Sequence, residues 1–399
     1  MRPRGQDPHR DAGPSVRQVC ARAFLMALAL GLIASCTTTA DPIGYNAGPG
    51  VPLRPLTGPP SPYPTPFHDR GHIDAEITAK INNAFMQLFH GTGADQPIYY
   101  SDGVDGAGNP IAHIQDVFHV DTRTEGIGLG MLIAVELDHR PELDSLWTFA
   151  KESLRVQSGS ASGYFTSFCE NASVMTVTCL DPFGLQQMTM ALILAHDRYT
   201  LAGAPNGPVE YATDARDLLT LMRHKVDQNG GVKDGVTDTF DQATSLVFDF
   251  PNTSAAGVGR PSIEMPAYYD LWAQATGDPF WTMAARAARD YWRRTAHPMT
   301  GLMPVRATFA DGLPVPGSDL FQSEGYRAQI AMALDQIWTD GDGWSPGEAD
   351  KLLAFFTSQG PNYGMTFMLG GGTPVNPQHD PVQRIHCSTT RSQTPRAVR

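Results

Sequence analysis

From Ile77 to Ser358 the sequence repeats one device: apolar residues at helical spacing, a break, then another such stretch. Ile77, Ile81, Phe85 and Leu88 form one stripe before His90-Gly91. The spacing predicts further helices over about 124–139, 141–154, 184–202, 209–227, 263–276, 279–296, 325–338 and 346–358. At Arg140-Pro141 one helix gives way to the next, and proline suits the first turn of the new one. Long polar or glycine-rich loops, 156–181, 229–260 and 297–319, interrupt the series. Short turns on one side and long loops on the other predict stacked α-hairpins closing into a toroid, with function in the long loops. Stretches with β character, such as Pro97-Ile98-Tyr99-Tyr100, are too few to build a sheet. Trp147, Trp272, Trp281, Trp292, Trp338 and Trp344 fall mostly in helical stripes and are expected in the core.

The front of the chain obeys different rules. Five arginines, from Arg2 to Arg22, precede an unbroken apolar run from Ala23 to Ala34, which is too short to span a bilayer. The run stops at Ile33-Ala34-Ser35-Cys36, the pattern of a bacterial lipoprotein signal in which Cys36 is lipidated. An ordinary signal peptide with an incidental cysteine is the plainer alternative. With no Asp at 37 or 38, outer-membrane sorting is expected. Nine prolines between Pro42 and Pro66 then predict an unfolded tether, leaning to polyproline II, over 36–70. The folded domain is expected over 71–382, and 383–399 forms a polar, arginine-rich tail. If that tail replaces a closing helix, Leu352, Phe355 and Phe356 lose their apolar cover.

The net charge of −12 argues against nucleic acid or an anionic lipid surface as a partner, so any membrane contact should come through the lipid alone. Neutral sugars remain compatible. Of five cysteines, Cys20 leaves with the signal and Cys36 goes to lipid. Cys169 and Cys179 are candidates for a loop disulfide in an oxidising compartment, which leaves Cys387 unpaired. No cofactor is implied. No Cys/His spacing suggests zinc, and Asp102–Gly106 lacks the alternating ligands and closing Glu of a calcium loop, so a turn is expected there.

The most informative stretch is Val120 to Met131. Thr124 has the chemistry of an N-cap, which puts Glu125 in the first helical turn. An isolated Glu there usually does no more than complement the helix dipole. The triplet Gly126-Gly128-Gly130 is less ordinary. Each glycine inside a helix costs about 1 kcal/mol, so either another helix or a ligand must approach that backbone closely.

Asp116 followed by Asp121-Thr122-Arg123-Thr124-Glu125-Gly126 and Gly128-Leu129-Gly130-Met131 resembles the acid motif of glycoside hydrolase family 8. The resemblance is nearest to the branch of reducing-end xylose-releasing exo-oligoxylanases. It extends to Ile81–Gly91, to Arg260-Pro261-Ser262 through Trp272, and to Phe321-Gln322-Ser323-Glu324-Gly325-Tyr326-Arg327. It implies an all-α fold, the (α/α)₆ barrel of six-hairpin glycosidases. It also implies an inverting hydrolase of β-1,4-linked xylan or β-glucan chains. Glu125 would be the general acid and Glu324 the base, about 6.5–9.5 Å apart. Arg123, Arg327, Asp121, Tyr164 and Asp181 would support them or bind substrate.

The chain also departs from the family. Glu324 stands where the family has Asp, so Glu324→Asp is expected to restore the family's water gap and raise the rate. Phe183 occupies the place of an active-site Asp, for which Asp181 could substitute. Ser167 replaces an aromatic platform, and Ile263-Glu264 replaces Tyr-His. The pattern is a retained acid in a rebuilt cleft. A lipoprotein that binds glycans on the same barrel without catalysis is the alternative.

Overall fold

The structure is a computed structural model. It describes residues 53–56, 67–117, 119–169, 180–201, 203, 207–339, 341–360, 364 and 366–375. The proposed disulfide lies outside the described residues through Cys179, as do Cys36 and the tail after 375. Among the described residues no helix is long and apolar enough to cross a membrane.

The helical elements are α1 (Asp74–His90), α2 (Thr124–Glu136), α3 (Arg140–Phe149), α4 (Pro182–Ala195), α5 (Tyr211–Gln228), α6 (Pro266–Thr276), α7 (Pro279–Thr295), α8 (Arg327–Thr339) and α9 (Ser345–Ser358). Helices α3 and α4 run on into single wider π turns, Ala150–Leu154 and His196–Leu201. The breaks have visible chemistry. Asp181 accepts from the Phe183 and Gly184 amides to cap α4, and Pro182 fills its first turn. Helix α6 stops at Gly277, whose φ of 71° favours glycine. Asp278 and Pro279 then start α7 at once.

The helices pair as hairpins, α2 with α3, α4 with α5, α6 with α7 and α8 with α9, and α2, α4, α6 and α8 form the inner row. Burial explains which helix goes inside. Helix α4 carries no charged residue and is buried at every position except Leu194. Helices α5 and α7 instead bury one face and keep charged residues on the other. The rows lock through aromatic and amide contacts. Tyr268 and Tyr269 of α6 donate to Gln187 and Gln186 of α4 at 2.7 and 2.8 Å. Trp272 meets Trp281 edge to face at 4.9 Å. Trp147, Trp272, Trp281 and Trp292 are all within the core, as their helical stripes suggest.

Three expectations need correction. Strand pairs do form: β1 (Tyr99–Val104) and β2 (Pro110–Ile114) make an antiparallel hairpin. Residues Asp102 to Val104 therefore lie in a strand, and the turn starts at Asp105, whose carboxylate accepts from the Ala107 and Asn109 amides at 2.8 Å each. Second, part of the proline-rich stretch is ordered on the helical body. Leu53 is buried in the core, the Arg54 amide donates to the Ala275 carbonyl at 2.9 Å, and the Leu56 amide donates to Asp197 at 3.0 Å. One leucine and two amide bonds suffice to seat a short strap that composition alone marks as unfolded. Third, Leu352 and Phe355 are buried, and Phe356 packs against the same core. Phe321 and Phe367, from the short pair β7 (Leu320–Phe321) and β8 (Phe367–Met368), supply their cover.

Candidate active site

The N-termini of α2, α4, α6 and α8 gather at one mouth of the helical body, where the long loops also converge. Glu125 is the second residue of α2. Thr124 is not its N-cap. The helix begins at Thr124 itself, after Arg123 in extended backbone, and no side chain caps it. Strand β3 (Thr122–Arg123) pairs with β4 (Phe168–Cys169), which fixes the entry to the helix without a cap. The Thr124 hydroxyl instead reaches the Thr166 and Ser167 carbonyls at 3.1 Å and Asp181 at 3.2 Å.

The glycines make this mouth tight. A Cβ on Gly128 would stand 2.5 Å from the Gln187 Cβ and 3.0 Å from the Gly184 carbonyl. A Cβ on Gly184 would stand 2.6–2.7 Å from the Thr124–Glu125 backbone. Of the two explanations for the triplet, the helix crossing holds for Gly128. Gly130 faces Ile114 and Leu146, and Gly126 faces Ile114. The crossing sets the Glu125 backbone directly against the start of α4.

Glu324 lies in the 3₁₀ turn Ser323–Tyr326, immediately before α8. Arg327 joins the two carboxylates: Nη2 donates to Glu125 Oε1, and Nη1 lies 3.4 Å from Glu324 Oε2. The Arg327 guanidinium also sits over the Phe183 ring, 5.0 Å from its centroid. Arg260 Nη1 donates to the same Glu324 oxygen at 2.6 Å. Arg123, Glu125, Ser167, Asp181, Phe250 and Arg260 line the resulting open cleft.

Electrostatics separates the two glutamates. Burial pushes the Glu125 carboxyl above the usual range. Arg327 opposes this, but the negative charges of Glu324 and Asp181 reinforce it. Burial also acts on Glu324, but there Arg327 and Arg260 outweigh it and hold its carboxyl below the usual range. Two carboxylates with opposite proton affinities thus share one arginine, Glu125 in the wall of the cleft and Glu324 held by Arg260, itself a lining residue.

The other expected site residues fare unevenly. Asp181 lines the cleft while capping α4, and burial keeps its carboxyl raised despite Arg260 and the two amides. Asp121 grips Arg123 with two bonds of 2.9 Å and orients it into the cleft. Tyr164 does not reach the cleft. It is 1 % exposed and donates to the Thr237 carbonyl at 2.9 Å, because its ring fills the core beneath the 229–260 loop. Glu264 is likewise internal, held by the Val247 amide at 3.0 Å and the Tyr269 hydroxyl at 3.1 Å.

Sequence reasoning missed Arg260 as a partner of Glu324, and it missed Asp249 and Phe250. Arg260 heads a stretch that resembles the family, but nothing local marks its partner, and Asp249 and Phe250 meet the site only through the fold of a long loop. Asp116, His119 and Asp121 bring possible ligand atoms within 4.8 Å of one another, the one such group among the described residues. Arg123 already supplies a cation there, against Asp121 at 2.9 Å and Asp116 at 3.5 Å.

With this geometry in place, comparison with known proteins is decisive. The model of Glycosyl hydrolases family 8 matches residues 105–366. The chain belongs to glycosyl hydrolase family 8. It is 30% identical over 300 residues to the reducing end xylose-releasing exo-oligoxylanase of Halalkalibacterium halodurans, covering 74% of this chain and 73% of that protein. Endoglucanase C of Ruminiclostridium cellulolyticum is 25% identical over 244 residues, covering 60% of this chain and 48% of that protein. A solved family 8 xylobiose complex from Teredinibacter turnerae superposes with a TM-score of 0.70 at 31% identity, covering 79% and 82% of the two chains. The hairpins of this chain are therefore those of the (α/α)₆ barrel, and the chain is a glycosidase.

Proposed function

We propose that the chain is an inverting glycosidase of β-1,4-linked xylo-oligosaccharides, with Glu125 as general acid and Glu324 as general base. One observation carries the assignment of roles. The two carboxylates share the Arg327 guanidinium, yet their proton affinities are driven apart in the directions the two roles need. Glu125, whose proton affinity burial raises, donates its proton to the glycosidic oxygen as the bond breaks. Glu324, kept ionised by two arginines, takes a proton from the attacking water on the opposite face of the sugar. Both arginines engage Glu324 through Oε2, which leaves Oε1 for that water. Xylo-oligosaccharides are preferred to glucans because relatives named for xylose release match at 25–30% identity over 68–74% of this chain, and those named endoglucanases at 25–27% over 60–63%.

The test is hydrolysis of xylo-oligosaccharides followed by NMR of the first product anomer. Inversion of a β linkage releases the α anomer. A first product with the β anomer would rule out this pair of roles. Glycan binding without catalysis draws support from one feature: Arg327 pairs with Glu125, and this contact must loosen before the acid holds its proton. Binding of xylo-oligosaccharide with no cleavage at any pH would establish that reading.

We also propose that Cys36 carries a lipid and anchors the protein at the outer membrane. The support is the apolar run that ends at this cysteine. Cys36→Ala should then move the protein from the membrane to the soluble periplasmic fraction. Unchanged membrane association would refute the anchor.

A further inference from the structure

Behind Glu324 runs a chain of charges that the two carboxylate roles do not account for. Arg260 reaches Glu324 with Nη1, while its Nε lies 2.8 Å from Asp249 Oδ1 and its Nη2 donates to the Asp249 carbonyl at 3.3 Å. The other oxygen of Asp249, Oδ2, lies 2.6 Å from Arg306 Nε. The Asp249 side chain is 4 % exposed and that of Arg260 9 %, so neither charge can fall back on water. The Arg306 side chain, 34 % exposed, closes the series at the surface and lies over the Phe250 ring, 5.9 Å from its centroid. Phe250 is itself a wall of the cleft.

The series ties three separate loops together. Asp249 and Arg260 belong to the 229–260 loop, Arg306 to the 297–319 loop, and Glu324 to the turn before α8. Short antiparallel pairing between β5 (Val258–Gly259) and β6 (Ala307–Thr308) sets the first two loops side by side and brings Arg306 beside Asp249. A glutamate has one more rotatable bond than an aspartate and more ways to miss its target. A single bond from Arg260 at 2.6 Å removes much of that freedom, but only if Arg260 is itself fixed. Asp249 holds it by an ion pair at Nε and a carbonyl bond to Nη2, and Arg306 pairs with Asp249 by charge.

We propose that Asp249 and Arg306 are positioning residues for hydrolysis, acting through Arg260 to hold the Glu324 carboxylate where it can activate water. This inference rests on the assignment of Glu324 as the base. Neither residue is among those that line the cleft. Their effect should therefore fall on turnover and on the ionisation of Glu324 rather than on sugar affinity. Misplacing a reacting group by about 1 Å can cost roughly a hundredfold in rate.

The experiment compares Asp249→Asn, Arg306→Gln, Arg306→Lys and Glu324→Gln on xylo-oligosaccharides across pH. Asp249→Asn and Arg306→Gln should lower kcat by about ten- to a hundredfold with KM nearly unchanged. They should also move the acid limb of the kcat/KM profile to higher pH, because a loosened Arg260 no longer depresses the Glu324 proton affinity. Arg306→Lys, which keeps the ion pair with Asp249, should restore most of the turnover. Should Asp249→Asn fail to fold, the partly exposed Arg306 variants carry the same test. An acid limb that stays in place, in a background where Glu324→Gln is inactive, overturns the positioning role alone. Activity that survives in Glu324→Gln overturns the base assignment and the positioning role with it.

Discussion

Two buried glutamates at opposite mouths of the barrel, Glu324 and Glu136, are treated in opposite ways. At the mouth formed by the inner helix N-termini, Glu324 is buried between Arg327 and Arg260 and stays ionised. At the far mouth, Glu136 is the last residue of α2, buried with little more than Arg198 to oppose it, and its pKa is pushed up to about 7. His196, which follows α4, is buried with its affinity for a proton lowered by that burial. Helix ends alone favour carboxylates at the first mouth and disfavour them at the second, each by about 0.3–1 kcal/mol. What turns that bias into a reactive site is the density of arginines that the loops bring. The far mouth receives instead the strap Leu53–Leu56, against Ala275 and Asp197. A fourteen-residue inner helix spans about 21 Å, so strap and cleft are separated by roughly the height of the barrel.

The largest effects should come from the arginine-rich mouth. Glu125→Gln and Glu324→Gln should each lower kcat by about 10²–10⁴-fold with folding intact, as circular dichroism and turnover would show together. Activity retained in Glu125→Gln would break the contrast between the mouths at its root. Glu324→Asp sharpens it. The family pattern alone suggests a faster enzyme, but the 2.6 Å bond from Arg260 fits the longer side chain. A shorter side chain gives up that bond, so a slower enzyme is expected from initial rates at the pH optimum.

Between the mouths, the α2–α4 crossing joins the two. Gly128→Val would force side-chain carbon against Gln187 Cβ, where even a Cβ alone sits at 2.5 Å. Overpacking of this kind should cost on the order of 3 kcal/mol in a urea melt. Turnover should fall as well, because the same contact seats the Glu125 backbone. At the far mouth, Leu53→Ala should cost about 2 kcal/mol of stability and leave kcat alone. A change in kcat with Leu53→Ala would mean that the mouths are coupled, contrary to the separation drawn above.

The helices were legible in the sequence because apolar residues recur at helical spacing, and proline, glycine and aspartate mark their ends. Glu125, Glu324 and Arg327 were legible through motifs that stay local to one turn. Asp249, Phe250 and the pairing of Arg260 with Glu324 were not, since a long loop carries no period and its partners are distant in sequence. Tyr164 was misplaced for a related reason. The resemblance placed it near the substrate, but a resemblance does not say which way a ring turns, and the ring went to the core. Leu53 shows the converse error, in which a proline-rich composition hid one buried anchor.

The smallest expected effect isolates the arginines as the deciding factor. Glu264 precedes α6 on the same side as the cleft, yet no arginine bonds it. Burial raises its pKa to about 8, against the weaker pull of the Val247 amide and Tyr269. Hydrogen-bond geometry agrees with a protonated group. Tyr269 has one hydroxyl proton but faces two acceptors, Gln186 Oε1 at 2.8 Å and Glu264 Oε2 at 3.1 Å. Both contacts are satisfied when Tyr269 donates to Gln186 and a protonated Glu264 donates to Tyr269. The folded state then binds this proton more tightly than the unfolded chain, so stability should fall as pH rises from about 4.5 to about 8 and level off beyond. Glu264→Gln keeps an acceptor for the Val247 amide and a donor for Tyr269 without a titrating proton. Its Tm should match that of the parent near pH 5 and exceed it by a few degrees at pH 8. An equal Tm difference at both pH values would mean that Glu264 is ionised as Glu324 is, and that arginines are not what separates the two.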